Sequence, residues 1–200
     1  MVDAFYKRGN VDDRTLRIAI IVIGHFMWLS TPALRMIGGS RRHDLRAAAP
    51  RYVSLYPVLV WVPLVAATLL IKGQHPIDAT FQIAGVVIAF IGSTFGAWSM
   101  WSLGRSYGAK LDVFEGHRLK TNGPFAVVRH PLYLGVIVYH VGAALALESL
   151  SVLAVAALFV VPYTAIRIGY EEKVLRDAFA DRYDEYARKT PMLLPIPRQS

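Results

Sequence analysis

The sequence predicts an all-α integral membrane protein with five transmembrane helices, a long cytoplasmic loop and a C-terminal amphipathic helix. Of its 200 residues, 54% are hydrophobic and only 18% are charged, whereas soluble domains carry roughly 25% charged residues. The apolar residues fall into five blocks without Lys, Arg, Asp or Glu, each close to the ~20 residues that span the hydrocarbon core. This pattern excludes a soluble domain and a disordered chain, and the lack of cysteine excludes a disulfide scaffold.

The first three blocks predict helices at about 16–38, 52–71 and 79–103. Arg35 and a Gly-Gly pair follow the first block instead of a small-x-small cleavage pattern, so we expect a retained helix and no signal peptide. In the third helix, Gly92 and Gly96 form a Gly-x-x-x-Gly step, which predicts close packing against another helix. Trp98 and Trp101 mark the membrane interface near its end.

The last two blocks predict helices at about 131–147 and 149–168. Pro131 suits a first helical position, with His130 as the cap. A tight turn at Glu148-Ser149 joins the two helices, which makes them antiparallel neighbours. The start of the fourth helix and the end of the fifth are therefore expected to lie close together.

Residues 104–130 and 168–200 form the predicted cytoplasmic region, in which we expect a ligand site. Here, Lys110–Phe114 and Arg118–Thr121 predict a short hairpin that turns at Gly116. From Ile168 to Arg188, apolar side chains recur every three or four residues, which predicts an amphipathic helix on the membrane or on the loop above it. The apolar positions of this predicted helix are Leu175, Phe179, Tyr183 and Tyr186.

The distribution of charge predicts the orientation of the chain. Lys and Arg number 5 on the side of the N-terminal segment and 17 on the side of residues 35–51, 104–129 and the C-terminal tail. Because cytoplasmic loops retain positive charge, we expect the N-terminus outside, and the C-terminus and the site in the cytoplasm. Topology thus accounts for the net charge of +8, and no nucleic-acid partner is expected.

Two segments bring together residue types that suit a ligand site. At the start of the fourth helix, Arg129 and His130 lie beside the N–H groups of a helix N-terminus, which favours an anionic group. Tyr133, Ile137 and His140 follow Arg129 along roughly one face of that helix.

Just beyond the fifth helix, Glu171 and Glu172 place two carboxylates near this corner. Adjacent positions of a helix point about 100° apart, so at most one of the two carboxylates faces a given ligand. The histidines never pair at metal-ligand spacing, and no metal site is expected.

Together, these segments resemble the isoprenylcysteine carboxyl methyltransferase family. The first segment is Gly123-Pro124-Phe125 followed by Arg129-His130-Pro131-x-Tyr133-x-Gly135, and the second is Arg167-x-x-x-Glu171-Glu172-x-x-Leu175. Further similar positions are Leu103-Gly104, Phe179…Tyr183-x-x-Tyr186 and Pro191…Pro195. The resemblance covers about residues 98–197, and the first two helices match only in kind.

The resemblance implies an integral membrane enzyme that uses S-adenosylmethionine and leaves S-adenosylhomocysteine as the product. The implied acceptor is lipophilic, such as a prenylcysteine-like molecule, and reaches the site from the bilayer. A soluble-type Rossmann methyltransferase is excluded, because the sequence has no Gly-x-Gly-x-x-Gly and no alternation of strands and helices.

The resemblance also implies roles for individual residues. The implied donor-binding residues are Leu119, Lys120, Thr121, Gly123, Pro124, Phe125, Arg129, His130, Tyr133, Glu171 and Glu172. Among them, Arg129, His130 or the helix start would meet the methionyl carboxylate, and one of the two glutamates would meet the ribose, the amino group or the sulfonium. The implied catalytic residues are Glu171, Arg167 and Arg176, of which the two arginines would hold an acceptor carboxylate. Ile137 and His140 are the candidate residues of an acceptor pocket.

Other functions fit parts of the same pattern. A phospholipid amine as the acceptor would need its proton removed, which would make Glu171 or Glu172 a base. Sterol-type membrane reductases, which use NADPH, share an Arg-His-like, Tyr-x-Gly segment. A non-enzymatic subunit or transporter is a third alternative, but transport favours ionisable groups at the bilayer midplane, and here they cluster at one face.

Overall fold

Long helices make up most of the protein in a computed structural model, which describes residues 12–38, 45–70, 79–104, 111–114 and 116–195, with the backbone alone at 28–38, 45–46 and 114. The helices are α1 (Asp13–Gly38), α2 (Tyr56–Leu70), α3 (Ala79–Leu103), the single turn α4 (Pro124–Val127), α5 (Pro131–Ala146), α6 (Leu150–Phe179) and α7 (Asp181–Lys189). A 3-10 turn at Arg51–Leu55 precedes α2, and α6 contains a π-helical turn at Ala156–Val160.

The protein is a helical membrane protein. In the described part of the chain, three helical segments are long and apolar enough to cross a bilayer: Arg51–Leu70, Ala79–Leu103 and Leu150–Phe179. Large apolar side chains on these segments are exposed, Leu158 and Phe90 among them, as expected for surfaces that contact lipid. Helix α5 is apolar but has only 16 residues. The count of five spans stays a prediction.

Helices α3 and α5 pack with their backbones in direct contact. A Cβ atom added at Gly92 would lie 2.4 Å from the backbone nitrogen of Tyr139, and one added at Gly142 would lie 2.3 Å from that of Ala89. Only glycine permits such an approach, so the packing role predicted for the Gly92–Gly96 step is confirmed. This contact fixes the position of α5 against α3.

A tight hairpin joins α5 to α6. Glu148 adopts a left-handed backbone with φ of 52°, and the Ser149 side chain accepts a hydrogen bond from Val152 N at 3.2 Å, which caps α6. At the other end of the pair, α5 begins at Pro131 with His130 as its N-cap. The hairpin brings the start of α5 and the later turns of α6 to the same end of the molecule.

One small sheet departs from the predicted all-α structure. Strand β1 (Leu45–Ala48) pairs antiparallel with β2 (Asp112–Phe114), and Ala49 N donates to Leu111 O just beyond the ladder. The predicted hairpin is therefore wrong: Gly116 does turn, with φ of 84°, but residues 117–121 form no strand. The real partner lies in a distant loop, and its Ala-rich sequence has low strand propensity.

The C-terminal region is not one amphipathic helix. Helix α6 runs on from the membrane to Phe179, the chain breaks at Ala180 with φ of 46°, and α7 follows from Asp181. The single helix predicted from Ile168 to Arg188 is wrong, because an alanine gives no local signal for a break. Of the predicted boundaries, Ile71, Lys110 and the tail beyond Pro195 lie outside the described residues.

Candidate active site

A cleft of about 970 Å³, including its solvent-open part, lies at the end of the molecule where α5 begins and α6 ends. Residues 111–113 and 117–120, the turn α4 and helix α7 complete its walls. Eight of the site residues predicted from the sequence line it: Leu119, Lys120, Phe125, Arg129, His130, Tyr133, Arg167 and Glu171. The cleft thus joins the Arg129-His130 corner to Glu171, as the helical hairpin predicts.

The two adjacent glutamates point into different surroundings. Glu171 lines the cleft and accepts a hydrogen bond from the Tyr133 hydroxyl at 2.5 Å. Glu172 lies behind the wall, where its Oε1 accepts from Arg129 Nε at 2.9 Å and from His130 Nε2 at 3.1 Å. One carboxylate is therefore presented to a ligand and the other is used inside the protein, so Glu172 is not placed as a ligand contact.

His130 is held by its contact with Glu172. Because a carboxylate only accepts, Nε2 carries the shared hydrogen, and the opposite ring nitrogen, Nδ1, lies 3.9 Å from Glu171 Oε2 on the cleft side. The ring is also 5.8 Å from that of Tyr133, measured between centroids. His130 thus has a fixed orientation at the corner of the cleft.

Tyr133 connects the cleft to Arg167. Its hydroxyl accepts from Arg167 Nε at 2.8 Å and donates to Glu171, so a cation, a phenol and a carboxylate form one chain. Arg167 also donates to the carbonyl of Val53, and its guanidinium lies 5.0 Å from the centre of the Tyr56 ring. These contacts orient Arg167 at the membrane side of the cleft.

The remaining residues predicted from the sequence lie away from the cleft. Arg176 is half exposed and donates to Asp184 Oδ1 at 2.9 Å, on the outer side of α6. Thr121 and Gly123 are exposed, and Pro124 is buried at the start of α4. Ile137 and His140 lie further along α5, where the buried His140 places Nδ1 2.7 Å from Val136 O. None of these six residues lines the cleft.

Other lining residues were not predicted as ligand contacts. Asp112, His117 and Arg118 come from the loop that β1 holds in place, and sequence reasoning assigned part of that loop to a hairpin. Tyr183 and Tyr186 were placed only on the apolar face of a tail helix. The structure directs that face toward the cleft and the loop rather than toward lipid: Tyr186 donates its hydroxyl to Phe125 O at 2.7 Å.

Burial keeps three titratable side chains that line the cleft neutral: His117, Tyr183 and Tyr186. Burial lowers the pKa of His117 below its usual value. Burial, with the nearby Glu172 carboxylate, raises the pKa of the Tyr183 hydroxyl, and burial raises that of Tyr186. At neutral pH these side chains offer polar or aromatic surface without charge. Among the described residues, no group of three or more His, Cys, Asp or Glu side chains could hold a metal ion.

Comparison with known proteins agrees with the motifs. The chain matches the phospholipid methyltransferase family over residues 80–182, a region that contains both motifs. It is 32% identical to protein-S-isoprenylcysteine O-methyltransferase B of Arabidopsis thaliana, over 56% of this chain and 58% of that protein. It is 30% identical to a probable protein-S-isoprenylcysteine O-methyltransferase of Oryza sativa subsp. indica, over 84% of this chain and 95% of that protein. A cobalt-zinc-cadmium resistance protein of Cupriavidus metallidurans is 31% identical over 80% of this chain and 73% of its own length.

Proposed function

This chain belongs to the phospholipid methyltransferase family, and on that premise we propose that its cleft binds S-adenosylmethionine and methylates a lipophilic acceptor. The acceptor is most like the carboxyl group of an isoprenylcysteine, because a relative named for that activity aligns over most of the chain. The observation that carries the proposal is the single cleft that joins the Arg129-His130 corner to Glu171.

The lining of the cleft fits the donor group by group. S-adenosylmethionine carries a carboxylate, an ammonium, ribose hydroxyls and an adenine ring, and it supplies a methyl group on a sulfonium. His130 and Lys120 offer positive potential for the carboxylate, and Glu171 offers an acceptor for the ammonium or the ribose. Phe125 and Tyr133 offer apolar and aromatic surface for adenine.

Methyl transfer to a carboxylate requires the donor and the acceptor to be aligned. It requires no proton transfer, because a carboxylate is already ionised at neutral pH. Arg167 is the cation that the membrane side of the cleft presents, held by Tyr133 and by the carbonyl of Val53. It would orient an acceptor carboxylate opposite the sulfonium, and the buried walls would exclude water from the reaction.

An amine acceptor is a second candidate, which the family description itself favours. Methylation of an amine requires an unprotonated nitrogen, and Glu171, a carboxylate that lines the cleft beside Tyr133, would take the proton. The two candidate acceptors are distinguished by measuring the transfer of the labelled methyl group to prenylcysteine analogues and, separately, to phosphatidylethanolamine. Methylation of the amine alone would assign the base role to Glu171 and exclude the carboxyl acceptor.

Ligand-dependent thermal stability tests the proposal directly. S-adenosylhomocysteine at 100 times its dissociation constant should stabilise the purified protein by about 2.7 kcal/mol, whereas NADPH should leave its stability unchanged. Stabilisation by NADPH alone would instead indicate a reductase, and stabilisation by neither would indicate a non-enzymatic protein.

Variants then locate the donor site. His130→Ala and Glu171→Ala should abolish the stabilisation by S-adenosylhomocysteine, because both side chains line the cleft. His25→Ala is the matched control: this histidine lies on α1, where its ring packs edge-on against Trp61, and the variant should keep the stabilisation. Loss of the response in all three variants would contradict the assignment.

A further inference from the structure

We propose that Arg129 is a positioning residue: it lines the cleft, but its guanidinium docks the C-terminal segment Ala187–Met192 instead of binding the carboxylate of the donor. The identity of the ligand rests on the proposed function, but the docking itself does not.

The guanidinium of Arg129 caps the C-terminal end of helix α7. Its side chain is buried, and Nη1 donates to Ala187 O at 2.7 Å and to Thr190 O at 2.9 Å. In a continuing helix, Ala187 O would accept from the N–H of residue 191, but that residue is Pro191, which has none. Arg129 supplies the missing donor and places a positive charge at the negative end of the helix.

Backbone hydrogen bonds also attach the residues after α7 to the start of α5. Arg129 N donates to Pro191 O at 2.8 Å, and His130 N donates to Met192 O at 3.1 Å. The chain that enters α5 therefore lies alongside the chain that leaves α7, joined by two hydrogen bonds. The backbone N–H groups of Arg129 and His130 are therefore used within the protein and are not offered to an anionic ligand.

The rest of the guanidinium is occupied by Glu172. Arg129 Nε donates to Glu172 Oε1 at 2.9 Å, and Nη2 lies 2.8 Å from the same oxygen. Because Glu172 also holds the His130 ring, Arg129 connects the tail to a side chain that faces the cleft. Its positive charge is compensated inside the protein, so the methionyl carboxylate must be met by other groups.

The attachment also builds one wall of the cleft. Tyr183 and Tyr186 line it from α7, and the position of α7 depends on the contacts at its end. Removing the Arg129 side chain should loosen this wall and weaken every ligand of the cleft equally, whichever part of the ligand carries a charge.

The test compares two ligands and two readouts in wild type, Arg129→Ala and Arg129→Lys. S-adenosylhomocysteine contains the methionyl carboxylate, and methylthioadenosine lacks it. Positioning predicts the same loss of affinity for both ligands, about tenfold or more in Arg129→Ala. Arg129→Lys should lose affinity too, because lysine has no fork that reaches Glu172, Ala187 and Thr190 together. A loss confined to S-adenosylhomocysteine, or full affinity in Arg129→Lys, would overturn the proposal.

Hydrogen exchange of the ligand-free protein supplies the independent readout. Amides of residues 181–195 should exchange faster in both variants than in wild type. Lys189→Ala is the control, since it removes an exposed cation from the same end of α7 and should leave the exchange unchanged. Unchanged exchange in Arg129→Ala and Arg129→Lys would contradict the docking role. If the wild type binds neither ligand, the proposed function fails, whereas the exchange result still decides the role of Arg129.

Discussion

At the residue scale, the two neighbouring glutamates of α6 have different roles. Glu171 faces the ligand cleft, whereas Glu172 pairs with side chains inside the protein. Successive residues of a helix are rotated by about 100°, so when Glu171 faces the cleft, Glu172 must face an adjoining surface. That surface holds Arg129 and His130, and the Glu172 side chain there is only 12% exposed. A buried carboxylate is tolerated only when it is paired and hydrogen-bonded, which these two donors achieve.

Removal of the two carboxylates should therefore have different effects. Glu172→Ala leaves the Arg129 cation buried without its carboxylate, a change that costs about 3 kcal/mol. Its melting temperature should fall by roughly 6–12 °C, measured by thermal unfolding in detergent. Glu171→Ala should keep a melting temperature near that of the wild type but lose the shift caused by S-adenosylhomocysteine.

Glu185→Ala serves as the control for general loss of a carboxylate on the same face of the molecule. Glu185 is exposed on α7 and pairs with Lys189, and exposed pairs contribute little, so this variant should melt like the wild type. If Glu172→Ala also melts like the wild type, the buried pair does not stabilise the fold.

At the element scale, the close contact between α3 and α5 decides where the site begins. Glycines on both helices remove the side chains that would otherwise separate the backbones. Without a hydrophobic driving force between helices in lipid, van der Waals contact of this kind is a main source of helix association. It holds α5, and with it His130 and Tyr133, in a fixed position relative to α3.

Two glycine-to-alanine variants test this contact. In Gly142→Ala the new Cβ would lie 2.3 Å from Ala89 N, so the helices must move apart, and we expect destabilisation of about 1–3 kcal/mol. Gly169→Ala is the matched control in α6, where an added Cβ meets nothing within 4 Å. Because alanine favours helix over glycine, this variant should be stabilised by about 0.5–1 kcal/mol. Equal melting temperatures for both variants would show that the α3–α5 contact is not tight.

At the scale of the whole molecule, charge and hydrophobicity together predict the orientation of the protein. The apolar segments supply membrane surface, while the cleft and α7 are built largely from segments that the predicted topology places on the side with 17 of the 22 Lys and Arg residues. The positive-inside rule then predicts that the cleft opens to the cytoplasm, where S-adenosylmethionine is available to it.

Cysteine accessibility tests this orientation, since the natural chain contains no cysteine. Gln74→Cys lies in the predicted outer loop, and Asn122→Cys lies at an exposed position near the cleft. In intact cells, a membrane-impermeant maleimide should label Gln74→Cys alone, and permeabilisation should add Asn122→Cys. Labelling of Asn122→Cys in intact cells would reverse the predicted topology.

The sequence by itself determined the membrane class, the helical hairpin of α5 and α6 and the pairing of two motifs at one end. Each follows from local information, namely runs of apolar residues, a tight turn and the rotation per residue of a helix. Only the tertiary structure decided which glutamate faces the cleft, that β2 pairs with β1, and that Ala180 breaks the tail so that Tyr183 and Tyr186 form a wall. These outcomes depend on contacts between residues far apart in the chain, such as Arg129 with Ala187 and Thr190, and no local pattern of residues encodes such a partner.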